Sequence, residues 1–387
     1  MAKTAGEAPG KVVQVLLVGG GHAHLEVVRR FMLASPPWMQ LTLVSAYPSH
    51  HYSGMVPGFL TGVYSEEEIR FDLAALAARA GARFILGRAT SLDPAACAVT
   101  LEDGQTLTYD LVSFGIGSTP AGGDTPEVSR HATVVKPMSR AVALRHRLAA
   151  LAGMASSSVA AHVVVVGGGA AGVEIACAAA TVLDDAQARR EITIIEGSDA
   201  VLRHYSARFR SRAEAVLAAR SIDIRRRTRV VAVHPDHVVL DDARTLPADL
   251  TVWMTGARGV PFLASSSLSV DAGGFLLVDD ALRSIDDVRV MAAGDCATPI
   301  HHPETPKAGV YAVRHGPVLW DSLLAASTGA AMPRYRPQPG FLSILNTGVG
   351  QALLRYRKLI SHSRWAWRLK DGIDRRFMRR YHSLIPG

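Results

Sequence analysis

Residues His162 to Glu174, HVVVVGGGAAGVE, constrain the chain more than any other stretch. Four consecutive valines read as a strand buried on both faces. Gly167, Gly169 and Gly172 then supply GxGxxG spacing as the strand gives way to an Ala-rich helix. The first glycine permits a tight turn, the second lets backbone approach a pyrophosphate, and the third lets helix and strand pack closely. The pyrophosphate would rest on unpaired amides at the positive end of the helix dipole. Alone, such a pattern is weak. A second strand, Glu191 to Ile195, ends in Glu196, 24 residues past Gly172, where a carboxylate would accept from the ribose hydroxyls of NAD. The same charge repels a 2′-phosphate and favours NADH over NADPH, although Arg203, seven residues on, would admit the phosphate.

With 387 residues, 48% apolar and 20% charged, the chain has material for two or three domains with large cores. The formal charge of +8 sits in the tail: from Gln351 to Gly387 there are ten Lys or Arg against two Asp, so residues 1–350 balance. A basic stripe elsewhere is missing, which argues against nucleic acid. The opening MAKTAGEAPG has no apolar core, so no secretory signal is expected. The long apolar region Val159 to Leu183 is broken by His162, glycines and Glu174 and reads as strand plus helix, not a membrane span. Cys97, Cys177 and Cys296 form no CxxC pair, which fits a reducing cytoplasmic compartment.

Earlier in the chain, Val12 to Val18 is another apolar strand, followed by Gly19, Gly20, Gly21, His22, Ala23 and His24. His24 stands where the third glycine would fall, which should loosen helix and strand slightly while leaving the phosphate-facing amides intact. The next strand, Leu41 to Val44, ends at Ser45 instead of an acid. Residues 46–64, AYPSHHYSGMVPGFLTGVY, lie just beyond a strand's carboxyl end, where open α/β sheets bind ligands; the bland alternative is an ordered loop of stacked aromatics. His50, His51 and Tyr52 are the candidates there. No acid or cysteine joins the histidines at ligand spacing, so no metal is expected. A helix over Asp72 to Ala80 and a three-stranded meander over Arg83 to Ser113, turned at Asp103-Gly104, lead to the crossing FGIGSTP, Phe114 to Pro120. The same order returns after the second loop and ends in TGARGVP, Thr255 to Pro261. The loops are 148 residues apart and the crossings 141, an internal duplication. Leu276 to Asp295 then reads as an apolar strand closing on Gly294-Asp295.

These four motifs in order, with MAAGD as the last, resemble the two-dinucleotide-binding flavoproteins of the pyridine nucleotide-disulfide oxidoreductase family over residues 12–325. The resemblance implies an α/β fold with two Rossmann-like domains and β-meanders: an FAD domain at 12–120 and 256–328, an NAD(P)H domain at 121–255, and a basic C-terminal segment at 329–387. It places Gly19 and Gly21 at the FAD pyrophosphate and Asp295 on the ribityl chain. The helix near Lys307 and Ala308 would aim its amides at the flavin N1 and C2 carbonyl. Glu174 would lie near flavin and nicotinamide, or be a merely hydrogen-bonded helix carboxylate. Lys307 would stabilise reduced flavin, or be a solvated helix-start lysine. Gly20, His22, Ala23, Ser45, Tyr52, Gly117, Gly256 and Gly294 complete the expected cofactor contacts. Cys177 reads as a buried small residue.

The disulfide reductases of this family need a CxxxxC near the first helix, and the sulfide:quinone enzymes a cysteine pair at the flavin; neither is present. Type II NADH dehydrogenases need neither and pass hydride from NADH to flavin and on to quinone. GGGHAHLEVVRRF, HHYSGMVPGFLTGVY, PKAGVYAVRHGPVL and WRLKDGIDRRFMRRY together resemble the selenide,water-dikinase-associated branch in its stand-alone form. Gly309 and Arg314 stand where quinone reductases carry glutamines. The expected activity is therefore NADH oxidation through FAD to a quinone-like acceptor. The alternatives are a soluble reductase of a protein or selenium-containing acceptor, and a flavin-binding regulatory protein with slow turnover. In the tail, Trp365, Leu369, Ile373, Phe377 and Tyr381 recur every four residues beside Arg and Lys. That pattern suits an interfacial helix on an anionic inner-membrane face, or equally a helix docked on its own FAD domain or in a homodimer; Gly372 would weaken it.

Overall fold

The computed structural model describes residues 11–155, 159–338 and 340–385. The opening segment read for a secretory signal lies outside them. Both valine-rich runs become central strands of parallel sheets, as expected of segments with no polar alternation. Val13–Val18 is the middle of a five-stranded sheet ordered Val290–Ala292, Leu111–Phe114, Val13–Val18, Met39–Ser45, Arg83–Leu86. Ala161–Val166 takes the same place in a second, ordered Ala132–Val134, Leu250–Trp253, Ala161–Val166, Arg190–Glu196, Ile222–Arg226. Each central strand feeds a glycine turn and a helix, His22–Ala34 in the first lobe and Ala170–Asp185 in the second.

The two crossings pair with each other. Thr119 lies opposite Arg258 and Pro120 opposite Ala257 in an antiparallel ribbon. The Trp253 indole and the Thr255 hydroxyl both donate to the Ala121 carbonyl, at 2.9 and 2.7 Å, and fasten the junction.

Several boundaries differ from the sequence expectation. The meander is confined to Ala89–Asp93, Ala98–Leu101 and Thr106–Thr108, because Arg83–Leu86 and Leu111–Phe114 belong to the parallel sheet. Leu276 to Asp295 holds two strands, Leu276–Val278 and Val290–Ala292, before a 3₁₀ turn at Gly294–Cys296. Residues 46–64 are ordered and hold regular elements. Ser49–His51 pairs with Arg70–Asp72, and Val56–Leu60 is a short helix buried along its length.

The tail departs most. An antiparallel sheet, Ser343–Gly348, Gln351–Tyr356 and Leu359–Ser363, precedes a helix that starts only at Arg364 and runs through Gly372 to His382. Its second half docks on the first lobe: Tyr381 meets Phe71 edge-on at 5.3 Å, Phe377 lies 4.9 Å from Tyr52, and Arg380 pairs with the buried Glu26 at 3.0 Å. Trp365, Leu369 and Ile373 in its first half stay exposed. Among the described residues no helix is long and apolar enough to cross a membrane.

Candidate active site

The second glycine loop is built as its spacing requires. Gly167 sits at φ +117°, and a Cβ on Gly172 would come within 1.9 Å of the Gly167 carbonyl oxygen, so the helix can approach only without one. A Cβ on Gly169 would meet open space, which leaves that side of the turn free for a ligand. Glu196 closes the loop: its carboxylate accepts from the Gly168 and Ser198 amides, both at 2.8 Å. Arg203 donates to the His204 ring at 3.1 Å, whereas Arg229 runs past Gly197 beside that acid.

The first loop reaches a similar shape by another route. Gly19, at φ +97°, donates its amide to Val44, and Gly21 donates to the Gly115 carbonyl at 3.1 Å. His24 does not loosen the packing. Its ring is fully buried, bonded through Nδ1 to the Gly19 carbonyl at 2.6 Å and through Nε2 to the Ser113 hydroxyl at 2.9 Å. The room comes from Gly115, where a Cβ would meet that ring at 2.8 Å. Ser45 is buried and accepts from the Tyr47 amide. The first-turn amides of His22 and Ala23 have no carbonyl one turn back to bond.

His22 heads an aromatic cluster with His50 at 5.1 Å, Tyr52 at 5.5 Å and Phe377 at 5.9 Å. Burial pushes the two imidazoles down to about 4 and about 3, so both are neutral. The Nε2 atoms of His22 and His50 are buried with no hydrogen-bond partner. His51 lies apart from them, its Nε2 3.2 Å from Glu66.

Asp295 is held by Lys136, a residue that no local motif marks. Its carboxylate accepts from Lys136 at 2.9 Å and from Ser118 at 3.1 Å. Burial opposes ionisation there, but the Lys136 ammonium prevails and keeps the carboxyl below the usual carboxylate range. Lys307 is neither solvated nor free: it donates to the Ala297 carbonyl and to Thr298 at 2.7 Å and lies 4.1 Å from the Phe275 ring centre. The helix Gly309–Thr328 starts just beyond it, with Ala308 at its N-cap. Gly117 and Gly294 both adopt positive φ, and the Gly294 amide donates to His315 Nδ1 at 3.0 Å. Gly256 accepts from the Ala121 amide, on the junction between the crossings.

Glu174 meets the C-terminal segment. Its carboxylate accepts from the Asn346 amide at 2.7 Å, and burial pushes the carboxyl up to about 7 against the pull of the Lys370 charge. Lys370, largely enclosed, donates to the Gly54 carbonyl at 2.6 Å and to Asp374 at 2.7 Å; Asp374 also accepts from the Tyr52 hydroxyl at 3.1 Å. Elements from both lobes and the tail thus converge on one enclosed group of two acids, an ammonium and a phenol. A carboxyl with a pKa near neutrality can hold or release a proton at working pH. Lys370 and Asp374 stand four apart in WRLKDGID and read in sequence as ordinary surface pairing. Cys177 is buried one turn from Glu174, its thiol pushed up to about 12 by burial, so it is inert.

The residues fit two dinucleotides: open amides at two helix starts, a carboxylate closing the second loop, and orphaned imidazole nitrogens beside the first. The family described as pyridine nucleotide-disulphide oxidoreductase matches residues 13–316. The chain belongs to that family. It is 30% identical over 233 residues to an NADH dehydrogenase-like protein of Mycobacterium tuberculosis, covering 59% of this chain and 58% of that relative's length. Among solved structures, the sulfide:quinone oxidoreductase of Aquifex aeolicus superposes with a TM-score of 0.80 at 20% identity, covering 96% of this chain and 92% of its own. NDH2 from Plasmodium falciparum in complex with NADH gives 0.77 at 14% identity, covering 97% and 99%. Its two-lobed fold is that of these solved structures, and the chain spans a little over half the length of the mycobacterial relative.

Proposed function

We propose that this flavoprotein oxidises NADH at the second lobe and passes the electrons, through FAD held by the first, to a quinone-like acceptor at a membrane surface. The observation that carries the reading is the enclosed group of Glu174, Lys370, Asp374 and Tyr52 at the junction of the lobes, with no disulfide partner for Cys177 beside it. FAD, when bound, supplies the hydride-accepting and electron-passing chemistry. The chain's own share is orientation, exclusion of water, and a protonatable carboxyl at Glu174. The names of the mycobacterial and Aquifex proteins support the donor and acceptor classes.

The exposed first half of the C-terminal helix supports the location. Trp365, Leu369 and Ile373, with Tyr356 and Leu359 of the adjoining strands, lie open beside Arg357, Lys358, Arg364 and Arg368. An apolar strip rimmed by cations suits an anionic lipid face. Anaerobic stopped-flow mixing tests the electron path: NADH should bleach the flavin, and a soluble quinone should restore its colour. Bleaching without recovery would transfer the acceptor to another class. Flotation with anionic liposomes tests the location, and replacing Trp365, Leu369 and Ile373 together by Ser should leave the protein at the bottom of the gradient.

A further inference from the structure

A cleft of about 300 Å³ opens between helix Ala207–Ala219 of the second lobe and the C-terminal sheet, and none of its lining residues belongs to either glycine loop. The helix side presents Arg212 and Arg220, and the sheet side Thr347, Gln351 and His362. Arg220 is anchored, donating to the Thr347 carbonyl, to Thr181 at 3.0 Å and to Asp184 at 3.3 Å. Arg190 takes the same Asp184 at 2.6 Å, so one carboxylate answers two guanidiniums. Glu214, the acid nearest on the helix, is taken by Arg226 at 2.9 Å. The Arg212 guanidinium and the Gln351 side-chain amide make no hydrogen bond or ion pair among the described residues. Burial, helped by the Arg212 charge, holds His362 below its ordinary value, and the ring bonds to the Thr347 hydroxyl at 2.9 Å.

The cleft therefore carries more positive charge than Asp184 answers, one guanidinium free to turn inward, and neutral polar groups facing it. We propose that it binds a small oxyanion of the phosphate class, with Arg212 as the principal charge partner and Gln351 and His362 as neutral contacts. A planar guanidinium matches the paired oxygens of such an ion, and the volume suits inorganic phosphate or a compact phosphomonoester. The location gives binding a consequence. Thr347, which faces the cleft, follows Asn346, whose amide holds Glu174 at 2.7 Å. An ion drawing on Arg220 or Thr347 acts on the strand that positions the carboxyl of the active site.

Isothermal titration of the full-length holoprotein with inorganic phosphate, at fixed ionic strength and with NAD⁺ saturating, reads the site directly. One saturable event is expected, weakened about tenfold or more in Arg212→Gln, in line with loss of a charge-assisted pair. Arg212 is exposed, so the variant should melt as wild type does. His362→Gln keeps a neutral polar group and should retain binding, whereas His362→Leu should lose much of it. Repeating the titration with glycerol phosphate assigns the source: tighter binding than phosphate means an esterified ligand, weaker binding a free ion. Phosphate affinity that is equal in Arg212→Gln, or that is seen only when NAD⁺ is left out, overturns the proposal. The visible flavin band should shift on phosphate addition in the wild type and not in Arg212→Gln; saturable binding with no shift overturns the link to Glu174.

Discussion

The two lobes share a strand order but not a way of bringing helix and loop together. In the second, Gly172 has no side chain and the helix rests on the Gly167 carbonyl; in the first, the buried His24 ring fills the corresponding place and Gly115 gives up the space. The acids differ as well, with Glu196 closing one loop and the neutral Ser45 standing at the end of the matching strand. The GxGxxG pattern thus encodes a distance between backbone segments. A side chain is tolerated wherever a neighbour leaves an equal gap.

The comparison breaks most sharply at Gly172. A Gly172→Val substitution has no flexible neighbour to displace, since its Cβ would sit 1.9 Å from a backbone oxygen. NADH affinity should fall by about 100-fold or more, on the scale of severe overpacking, while FAD content stays near wild type. Titration of flavin bleaching with NADH, alongside reduction by dithionite, checks this. Normal NADH affinity in the variant would mean that the second loop does not hold the nicotinamide dinucleotide.

In the first lobe the corresponding substitution is Gly115→Ala. Its Cβ would meet the His24 ring at 2.8 Å, and destabilisation of about 1–3 kcal/mol with weaker FAD retention is expected. Adding His24→Gly should recover much of the loss, because the pair then repeats the arrangement of the second lobe. Denaturant unfolding of the singles and the double gives the coupling directly. Strict additivity would show that His24 and Gly115 do not compensate each other.

Glu174 matches Glu26 of the first lobe, and both carboxylates meet the tail, but Glu26 is paired with Arg29, Arg30 and Arg380 and held below its ordinary value, whereas Glu174 is pushed up and makes a pH signature. Its carboxyl titrates at about 7 in the fold against the ordinary glutamate value of 4.5. Between those values the native state binds more protons than the unfolded chain, so this group lowers stability as pH rises from about 4.5 to 7 and adds nothing further above that. At ~1.36 kcal/mol per pH unit the loss is bounded at about 3 kcal/mol. The Glu174→Gln protein, which lacks the ionisation, should melt progressively closer to or above wild type across that window. A constant melting difference from pH 5 to 7.5 would place the carboxyl in its ordinary range.

The strand, glycine turn and helix of each lobe were legible because the glycine spacing and the next strand lie within about thirty residues, whereas the contacts of Gly21 with Gly115 and of His24 with Ser113 reach across the lobe and left no local sign. The sheet edges were not. Arg83–Leu86 and Leu111–Phe114 look like meander strands because a short apolar run does not disclose the direction of its partner. The Lys136 contact with Asp295 spans 159 residues and left no local trace. In the tail, spacing of four residues drifts by about 40° per step around a helix, so a row that looks continuous winds away from one face. Hence Phe377 and Tyr381 reach the first lobe while Trp365, Leu369 and Ile373 face outward, and neither the interfacial nor the docked expectation describes the whole helix.

The mildest test concerns the acid that only the second lobe has. Glu196 already accepts two backbone amides, so Glu196→Gln keeps much of the turn while removing the charge that repels a 2′-phosphate. The ratio of kcat/KM for NADH over NADPH should fall about tenfold, the value of roughly one favourable charge contact. Arg229, whose side chain runs 3.7 Å from a Cβ placed on Gly197, is a cation beside that turn, whereas Arg203 is spent on His204. Arg229→Ala in the Glu196→Gln background should therefore cancel the gain for NADPH, and Arg203→Ala should not. If Arg203→Ala cancels it instead, the loop rearranges when the dinucleotide binds, and the likeness to a preformed site ends at the glycines.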